Sequence, residues 1–264
     1  MTGAARRFLI TGAGTGIGSA LAIEAARRGM QVAICGRREH PLRETYAKLA
    51  GDGHIAVICD VSDRGDRAHL IARLGEQWGT LDTLINNAGM ISFGPVRTLD
   101  DDEIDRLVAT NLTAPIRLVR DCLQLLSYGN QPQIANMGSL LGSIPYPLFA
   151  AYSATKSGLH AFSTALRREL KPLGIAVTHV APRGTKTAAA SKLEAYAKPL
   201  EMNFDTPDAV ARVVLDGLAH RKPEIFPAGM ERLFLAAQTV TPGLVDQAIA
   251  RQLKRAAADG LVIH

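Results

Sequence analysis

The run Arg7-Phe8-Leu9-Ile10-Thr11-Gly12-Ala13-Gly14-Thr15-Gly16-Ile17-Gly18 passes from apolar residues through a glycine-rich turn into a helical pattern. Arg7–Ile10 reads as a short strand. Gly16 to Arg28 reads as a helix, stopped by Gly29, a residue able to adopt a positive φ. Glycines between the two let the backbone turn sharply and approach a ligand closely. The helix N-terminus then offers unpaired N–H groups and a positive dipole end to a pyrophosphate. A bare Gly-x-Gly-x-x-Gly is weak evidence, but its place between a strand and a helix strengthens it. Gly12, Gly14, Thr15, Gly16, Ile17 and Gly18 are therefore expected to bind a cofactor.

Working outward, strands and helices alternate almost to the end of the chain. Strands are expected at Val32–Cys35, Ile55–Cys59, Leu81–Ile85, Ile134–Met137, Ile175–Val180 and Glu224–Phe226. Helical patterns follow His40 and cover about Asp63–Gln77, Asp101–Ala109, Thr113–Leu126 and Ala151–Leu170. Thr206-Pro207 opens a further helix, with Thr as N-cap and Pro at the first turn, and apolar helical sequence runs on to about Arg255. Short β-branched strands without alternation imply a parallel sheet buried on both faces. Right-handed crossovers place helices on each side, which makes the fold class α/β: a doubly wound parallel sheet with helices on both faces. With no repeat, low-complexity tract or linker, residues 1–264 are expected to form one domain.

Composition narrows the function classes. Hydrophobic residues are 47% and charged residues 21% of the 264, which excludes a disordered or fibrous chain. No apolar run reaches the roughly 18 residues a bilayer span requires, and Phe8–Ile10 is too short for a signal peptide core. The three cysteines, Cys35, Cys59 and Cys122, are odd in number and lack metal-ligand spacing, so free thiols in the cytoplasm are expected and no metal site. The net charge of +5 is spread over short pairs without a nucleic-acid module, so neither nucleic acid nor membrane is an expected partner.

The end of the second strand bears on which dinucleotide binds. An acidic residue there would take the adenosine ribose hydroxyls and favour NAD. Here Gly36 is followed by Arg37 and Arg38. Gly36 repels no 2′-phosphate, and a guanidinium can bind one bidentately and stack on adenine, so NADP(H) is favoured over NAD(H). Asp60 and Val61, after the third strand, are placed to contact the adenine edge, with helix capping as the competing role for Asp60.

Tyr152 and Lys156 stand one turn apart on one helix face. A free tyrosine is a poor base at neutral pH, and an ammonium one turn away is expected to lower its pKa. Ser139, just past the fifth strand, lies at the carboxyl edge where open α/β sheets bind ligands, and its hydroxyl is suited to polarise a substrate carbonyl. Asn111 is placed to anchor a water chain carrying protons to bulk. Asn111-Leu112-Thr113 also spells a glycosylation sequon, set aside for want of an export signal.

Taken together, Thr11-Gly12-x-x-x-Gly16-x-Gly18, Asp60, Asn86-Asn87-Ala88-Gly89, Asn111, Ser139, Tyr152-x-x-x-Lys156 and Pro182 resemble, in order and spacing, the short-chain dehydrogenase/reductase family in its single-domain branch. The match covers roughly residues 7 to 187. The resemblance implies a Rossmann-type domain acting on a small-molecule substrate. Tyr152 would be general acid in reduction and base in oxidation, and Lys156 would hold the nicotinamide ribose. Ser139 would orient the reacting oxygen and Asn111 complete the proton relay. Asn87, Ala88 and Gly89 would line the cofactor, and Pro182, Thr185 and Thr187 would clamp the carboxamide. It also implies a homo-oligomer, tetramer or dimer, and a mobile lid near residues 188–204. Two positions depart from the family pattern: Arg183 stands where a glycine is usual, its role left open between a diphosphate and an anionic substrate group, and Gly138 stands where a serine is usual.

The function implied is an NADP(H)-dependent oxidoreductase moving hydride between nicotinamide and a carbonyl or secondary alcohol. Leu140–Phe149 and Met90–Phe93 would form apolar walls for a hydrophobic substrate. The alternatives are a non-catalytic NADP(H)-binding redox sensor and an epimerase or dehydratase on the same scaffold. His160 reads as a packed or interface residue, His179 as a satisfied core histidine, and Leu233–Leu253 as a helix covering the domain's own core.

Overall fold

The computed structural model describes residues 5–187, 202–227, 229 and 231–258. The opening run forms strand β1 (Arg7–Thr11) and helix α1 (Gly16–Arg27). There follow β2 (Gln31–Gly36), α2 (Glu39–Tyr46), β3 (Ile55–Ile58), α3 (Arg64–Gln77) and β4 (Thr83–Asn86). The second half contributes α4 (Asp101–Val108), α5 (Ala114–Ser127), β5 (Gln133–Met137), α6 (Ala150–Leu170) and β6 (Ala176–Val180). Then come the two-residue strands β7 (Gly184–Thr185) and β8 (Phe204–Asp205), α7 (Pro207–Ala219), β9 (Glu224–Ile225), α8 (Glu231–Val240) and α9 (Pro242–Ala258). As expected, Thr206 caps α7, its hydroxyl accepting from the Ala209 amide at 3.3 Å.

Seven strands form one parallel sheet in the order β3-β2-β1-β4-β5-β6-β9, while β7 and β8 form a separate small ladder. Successive strand residues enter opposite faces, which is why the strands read as unbroken apolar runs. Phe8 and Ile10 join the face covered by α1 and α7, and Leu9 joins the face covered by α3, α5 and α6. Burying each such side chain contributes roughly 1.5–3 kcal/mol. The edge strand β3 is the exception: Ile55 and Val57 are buried, whereas Ala56 and Ile58 face outward. A buried polar chain also crosses the centre, from Asn86 Nδ2 to Asn136 Oδ1 (2.8 Å) and from Asn136 Nδ2 to Ser163 Oγ (3.0 Å), tying β4, β5 and α6 together.

The strand order reverses beside β1, whose neighbours are β2 on one side and β4 on the other. Connections leave that point in opposite directions and open a crevice at the carboxyl ends of the strands. Two expectations change in detail. Asn111 precedes α5, but it is itself helical, inside a π-helical turn, Ala109–Thr113, that joins α4 to α5. The C-terminal helical stretch is two helices, broken at Thr241-Pro242, with Val245 and Ala256 buried and Leu233, Val240 and Leu244 facing out. The expected lid at 188–204 lies, for residues 188–201, outside the described residues. Among the described residues no helix is long and apolar enough to cross a membrane.

Candidate active site

The crevice begins at the glycine turn. Gly12 and Gly16 have φ of +64° and +60°, and a Cβ on Gly12 would stand 2.7 Å from Ala88 Cα. That approach is held by Thr11, whose Oγ1 accepts from the backbone amides of Asn87 (3.0 Å) and Ala88 (2.9 Å). Asn87 Nδ2 returns a bond to the Thr11 carbonyl at 2.8 Å. Gly18 lies beneath the turn and outside the cleft lining: a Cβ there would strike the Gly12 carbonyl and Asn87 Nδ2, so glycine is needed for close packing of α1. Thr15 begins that helix without a side-chain cap, and its first turn carries no acidic residue, which leaves the helix end open to an anion.

From this turn a cleft of about 250 Å³ runs over Gly12, Gly14, Thr15, Gly16 and Ile17 toward Gly36, Arg37 and Arg38. Asp60, Val61 and Cys59 line it opposite, with Asn87, Ala88, Gly89 and Thr110 along its floor. Arg38 reaches Thr15 Oγ1 at 3.4 Å, and Arg37 stands 3.8 Å from Asp60 with a largely exposed side chain. Burial acts to raise the Asp60 pKa, but hydrogen bonds from Ser62 and the Arg37 charge leave it lowered and the carboxylate ionised. Helix capping is not its role. Asp63 caps α3, accepting from the Asp66 amide, while Asp60 binds Ser62.

Ile17, Asn87, Gly89 and Thr187 are shared with a larger cleft of about 480 Å³. Here side chains from distant segments meet: Ser139 after β5, Tyr152 and Lys156 on α6, and Pro182 and Thr185 after β6. Ser139 starts the 3₁₀ turn Leu140–Gly142, its Oγ accepting from the Leu141 amide at 3.2 Å. The same hydroxyl shares the cleft lining with the Tyr152 phenol and acts to lower its pKa. Phe149 packs edge-on to Tyr152 at 6.4 Å between centroids and against Phe93 at 4.8 Å, so the phenol stands in an aromatic wall.

The expected acidification of Tyr152 by Lys156 is corrected by this geometry. Burial pushes the phenol above its ordinary pKa, and Ser139 draws it only part of the way back. Lys156 lies 5.8 Å from the centre of the tyrosine ring, and its ammonium donates to the Met137 carbonyl at 2.8 Å. Burial lowers the lysine pKa to about 8. The i, i+4 spacing aligned both groups on one face, but it carried no signal for the strand-end carbonyl that takes the ammonium.

Asn111 is fully buried behind the cleft and does not line it. Its amide brackets Met90, accepting from the Met90 N–H and donating to the Met90 carbonyl, each at 2.8 Å, and also reaches Thr155 Oγ1 at 3.2 Å. It thereby holds the Met90–Phe93 wall, a role its spacing did not suggest. Met90, Ile91, Leu140, Leu141 and Phe149 face the cleft as expected. The two walls are joined where the Gly94 amide donates to the carbonyl of Leu148, a residue strained at φ +70°. Tyr146, within the apolar segment, turns away to Gln252 of α9 at 2.8 Å.

Arg183 lines the larger cleft, but its charge is engaged at the rim. Its guanidinium binds Asp205 of β8 at 3.1 Å and Glu231 of α8 at 2.7 Å, fastening two later segments to the rim. Four contributors escaped sequence reading: the Thr11 side chain, the Met137 carbonyl, Thr110 and Thr155. Thr11 opens the quoted glycine motif with no role given to its side chain, whereas a backbone carbonyl leaves no residue-type signature.

With this geometry in place, comparison with known proteins is informative. The family model for short chain dehydrogenase matches residues 6–198. A putative ketoacyl reductase of Streptomyces coelicolor is 35% identical over 203 residues, covering 75% of this chain and 77% of its own. A short-chain dehydrogenase from Sphingobium yanoikuyae, solved with NADPH, is 30% identical with a TM-score of 0.79, covering 91% of this chain and 95% of its own. A 3-ketoacyl-(acyl-carrier-protein) reductase from Brucella melitensis, solved with NADH, is 26% identical with a TM-score of 0.75, covering 80% and 90%.

Proposed function

Because the chain belongs to the short-chain dehydrogenase family, we propose that it is an NADP(H)-dependent oxidoreductase interconverting a carbonyl and a secondary alcohol on a largely apolar substrate. Family membership makes it an oxidoreductase; the choice of cofactor, the substrate class and the residue roles are our reading. Support for a dinucleotide comes from two clefts joined at Ile17, Asn87, Gly89 and Thr187, with a turn at Gly12 and Gly16 that no side chain could occupy without strain. Support for the 2′-phosphate form comes from Arg37 and Arg38 beside Gly36 and from two relatives solved with NADPH, against one solved with NADH. The folded domain, a cytoplasmic setting, a homo-oligomer and a substrate lid near 188–204 complete the proposal on the family resemblance.

When bound, the nicotinamide would supply or accept the hydride at the substrate carbon. The protein's own part is to aim the substrate oxygen and move one proton. Ser139 donates a hydrogen bond to that oxygen, and Tyr152 transfers the proton. A phenol whose pKa is raised stays protonated at neutral pH, the form that gives its proton to the carbonyl oxygen in reduction. Lys156, its ammonium fixed by the Met137 carbonyl, would hold the ribose hydroxyls of the bound nucleotide. Pro182, Thr185 and Thr187 line the cleft and would hold the nicotinamide, and Met90, Ile91, Leu140 and Leu141 would exclude water around the substrate.

The observation that carries this reading is the convergence of Ser139, Tyr152 and Lys156 on one cleft that is continuous with the glycine turn. NADPH consumption with a panel of ketones, aldehydes and 3-ketoacyl thioesters tests it, the last suggested by the relatives' names. Turnover by wild type and its loss in Tyr152→Phe are expected. Equal turnover by the two proteins counts against it.

A further inference from the structure

Gly138 and His179 touch in a way the mechanism above leaves unexplained. Gly138 leads β5 into Ser139, and its φ is not positive, so nothing in its backbone conformation calls for glycine. Space does. A Cβ built there would collide with His179 Cε1, approach Nε2 to 2.6 Å and reach the Val180 carbonyl at 3.0 Å. The Gly138 amide is already drawn to that carbonyl at 2.6 Å. The turn that aims Ser139 therefore lies flat against β6, with the imidazole as its backing.

His179 is an unusual object for that position. It is fully buried in β6, between Asn136 of β5 and Glu224 of β9, yet neither ring nitrogen has a hydrogen-bond partner among the described residues. The expectation of a satisfied core histidine is thereby corrected. Burying an unpartnered polar ring costs about 1–3 kcal/mol, so retaining it demands a compensating use. Its ring stacks on His160 of α6 at 4.2 Å and 15°, with Phe226 at 6.5 Å, and His160 in turn faces Glu224 at 3.4 Å. Burial, together with the nearby His160, Lys156 and Arg167, lowers the His179 pKa to about 3, so it packs as an uncharged plate.

We infer that Gly138 and His179 form one coupled positioning unit: the imidazole fills the volume a side chain at 138 would need and backs the turn that holds Ser139 against Tyr152. His179 is a positioning residue, acting on the reaction only through Gly138 and Ser139. The inference rests on the proposed role of Ser139. Its physical content, that residue 138 can grow only when residue 179 shrinks, stands apart from any substrate.

Gly138→Ser, His179→Ala and the double variant test it, with kcat, KM, NADPH dissociation constant and thermal midpoint measured on each. Gly138→Ser is expected to lower kcat at least tenfold with NADPH binding within about twofold of wild type, because the displaced group is Ser139 and not the dinucleotide cleft. The double variant is expected to regain most of that loss. Losses that simply add, or a fully active Gly138→Ser, overturn the pairing. If Gly138→Ser does not fold, a double variant that folds supports the unit, and one that also fails overturns it. If wild type turns over no carbonyl, the functional reading falls alone. The cycle is then read in thermal midpoints, where recovery in the double variant upholds the unit and its absence refutes it.

Discussion

The two ends of the cleft are built on opposite plans. The end that begins at Gly12 is a feature of backbone: two glycines at positive φ, an uncapped helix start, and arginines set in solvent, Arg37 with 69% of its side chain exposed. The end at Ser139 is a feature of packed side chains: Lys156 buried, Tyr152 held in an aromatic wall, and Asn111 enclosed behind them. Solvent screens charges at the first end, so its interactions are many, individually modest and tolerant of small shifts. Burial at the second end moves pKa values and makes single hydrogen bonds decisive. Recognition can be assembled from local chain geometry. Proton chemistry needs a dry place, and only long-range packing makes one.

Substitutions should therefore divide by end, in kcat on one side and cofactor affinity on the other. The largest effect is expected for Tyr152→Phe, with kcat down about 10²- to 10⁴-fold and NADPH affinity nearly unchanged, measured by steady-state turnover and fluorescence titration. A loss below tenfold would erase the distinction between the ends. Replacing both Arg37 and Arg38 by alanine should raise KM for NADPH about tenfold, the low end for charged hydrogen bonds because these groups are exposed, and leave kcat and KM for NADH in place. A kcat effect as large as the KM effect would show that the two ends are coupled.

Smaller changes sharpen the contrast. Gly12→Ala should cost roughly 1–3 kcal/mol through backbone strain and contact with Ala88, seen as a lowered thermal midpoint and weakened binding of both dinucleotides. Arg183→Gly frees Asp205 and Glu231 at the rim. It should shift KM for bulky carbonyls by less than about fivefold with NADPH affinity intact, as expected of partly exposed ion pairs.

A further contrast is pH-dependent stability, for which the buried end supplies the large pKa shifts. His179 is lowered to about 3, so between pH 6.5 and 3 the unfolded chain holds a proton that the folded chain lacks. Stability contributed there falls with acid, by at most about 1.4 kcal/mol per pH unit, and His179→Ala should flatten that slope in denaturant titrations. Lys156, lowered to about 8, gives the same sign at alkaline pH. Its contribution to stability rises from pH 8 to 10.5, and Lys156→Met should remove the rise.

The amino-acid sequence alone determined what depends on neighbours along the chain. The alternation of apolar runs and helical patterns specified a doubly wound sheet, because parallel strands buried on both faces leave a distinctive signature. The glycine turn was legible because positive φ and close approach restrict residue type at fixed spacing. The shared face of Tyr152 and Lys156 was legible because an α-helix has a fixed period. What tertiary structure decided was where the charges go: the Lys156 ammonium to the Met137 carbonyl, Arg183 to Asp205 and Glu231, Asn111 to the Met90 backbone. It also reversed the direction of the Tyr152 shift and exposed the unpartnered ring of His179. The physical reason is common to all of these. Desolvation and partner choice are set by atoms far away in sequence, many of them backbone carbonyls that every residue carries alike, so they leave no mark on residue type until the chain has folded around them.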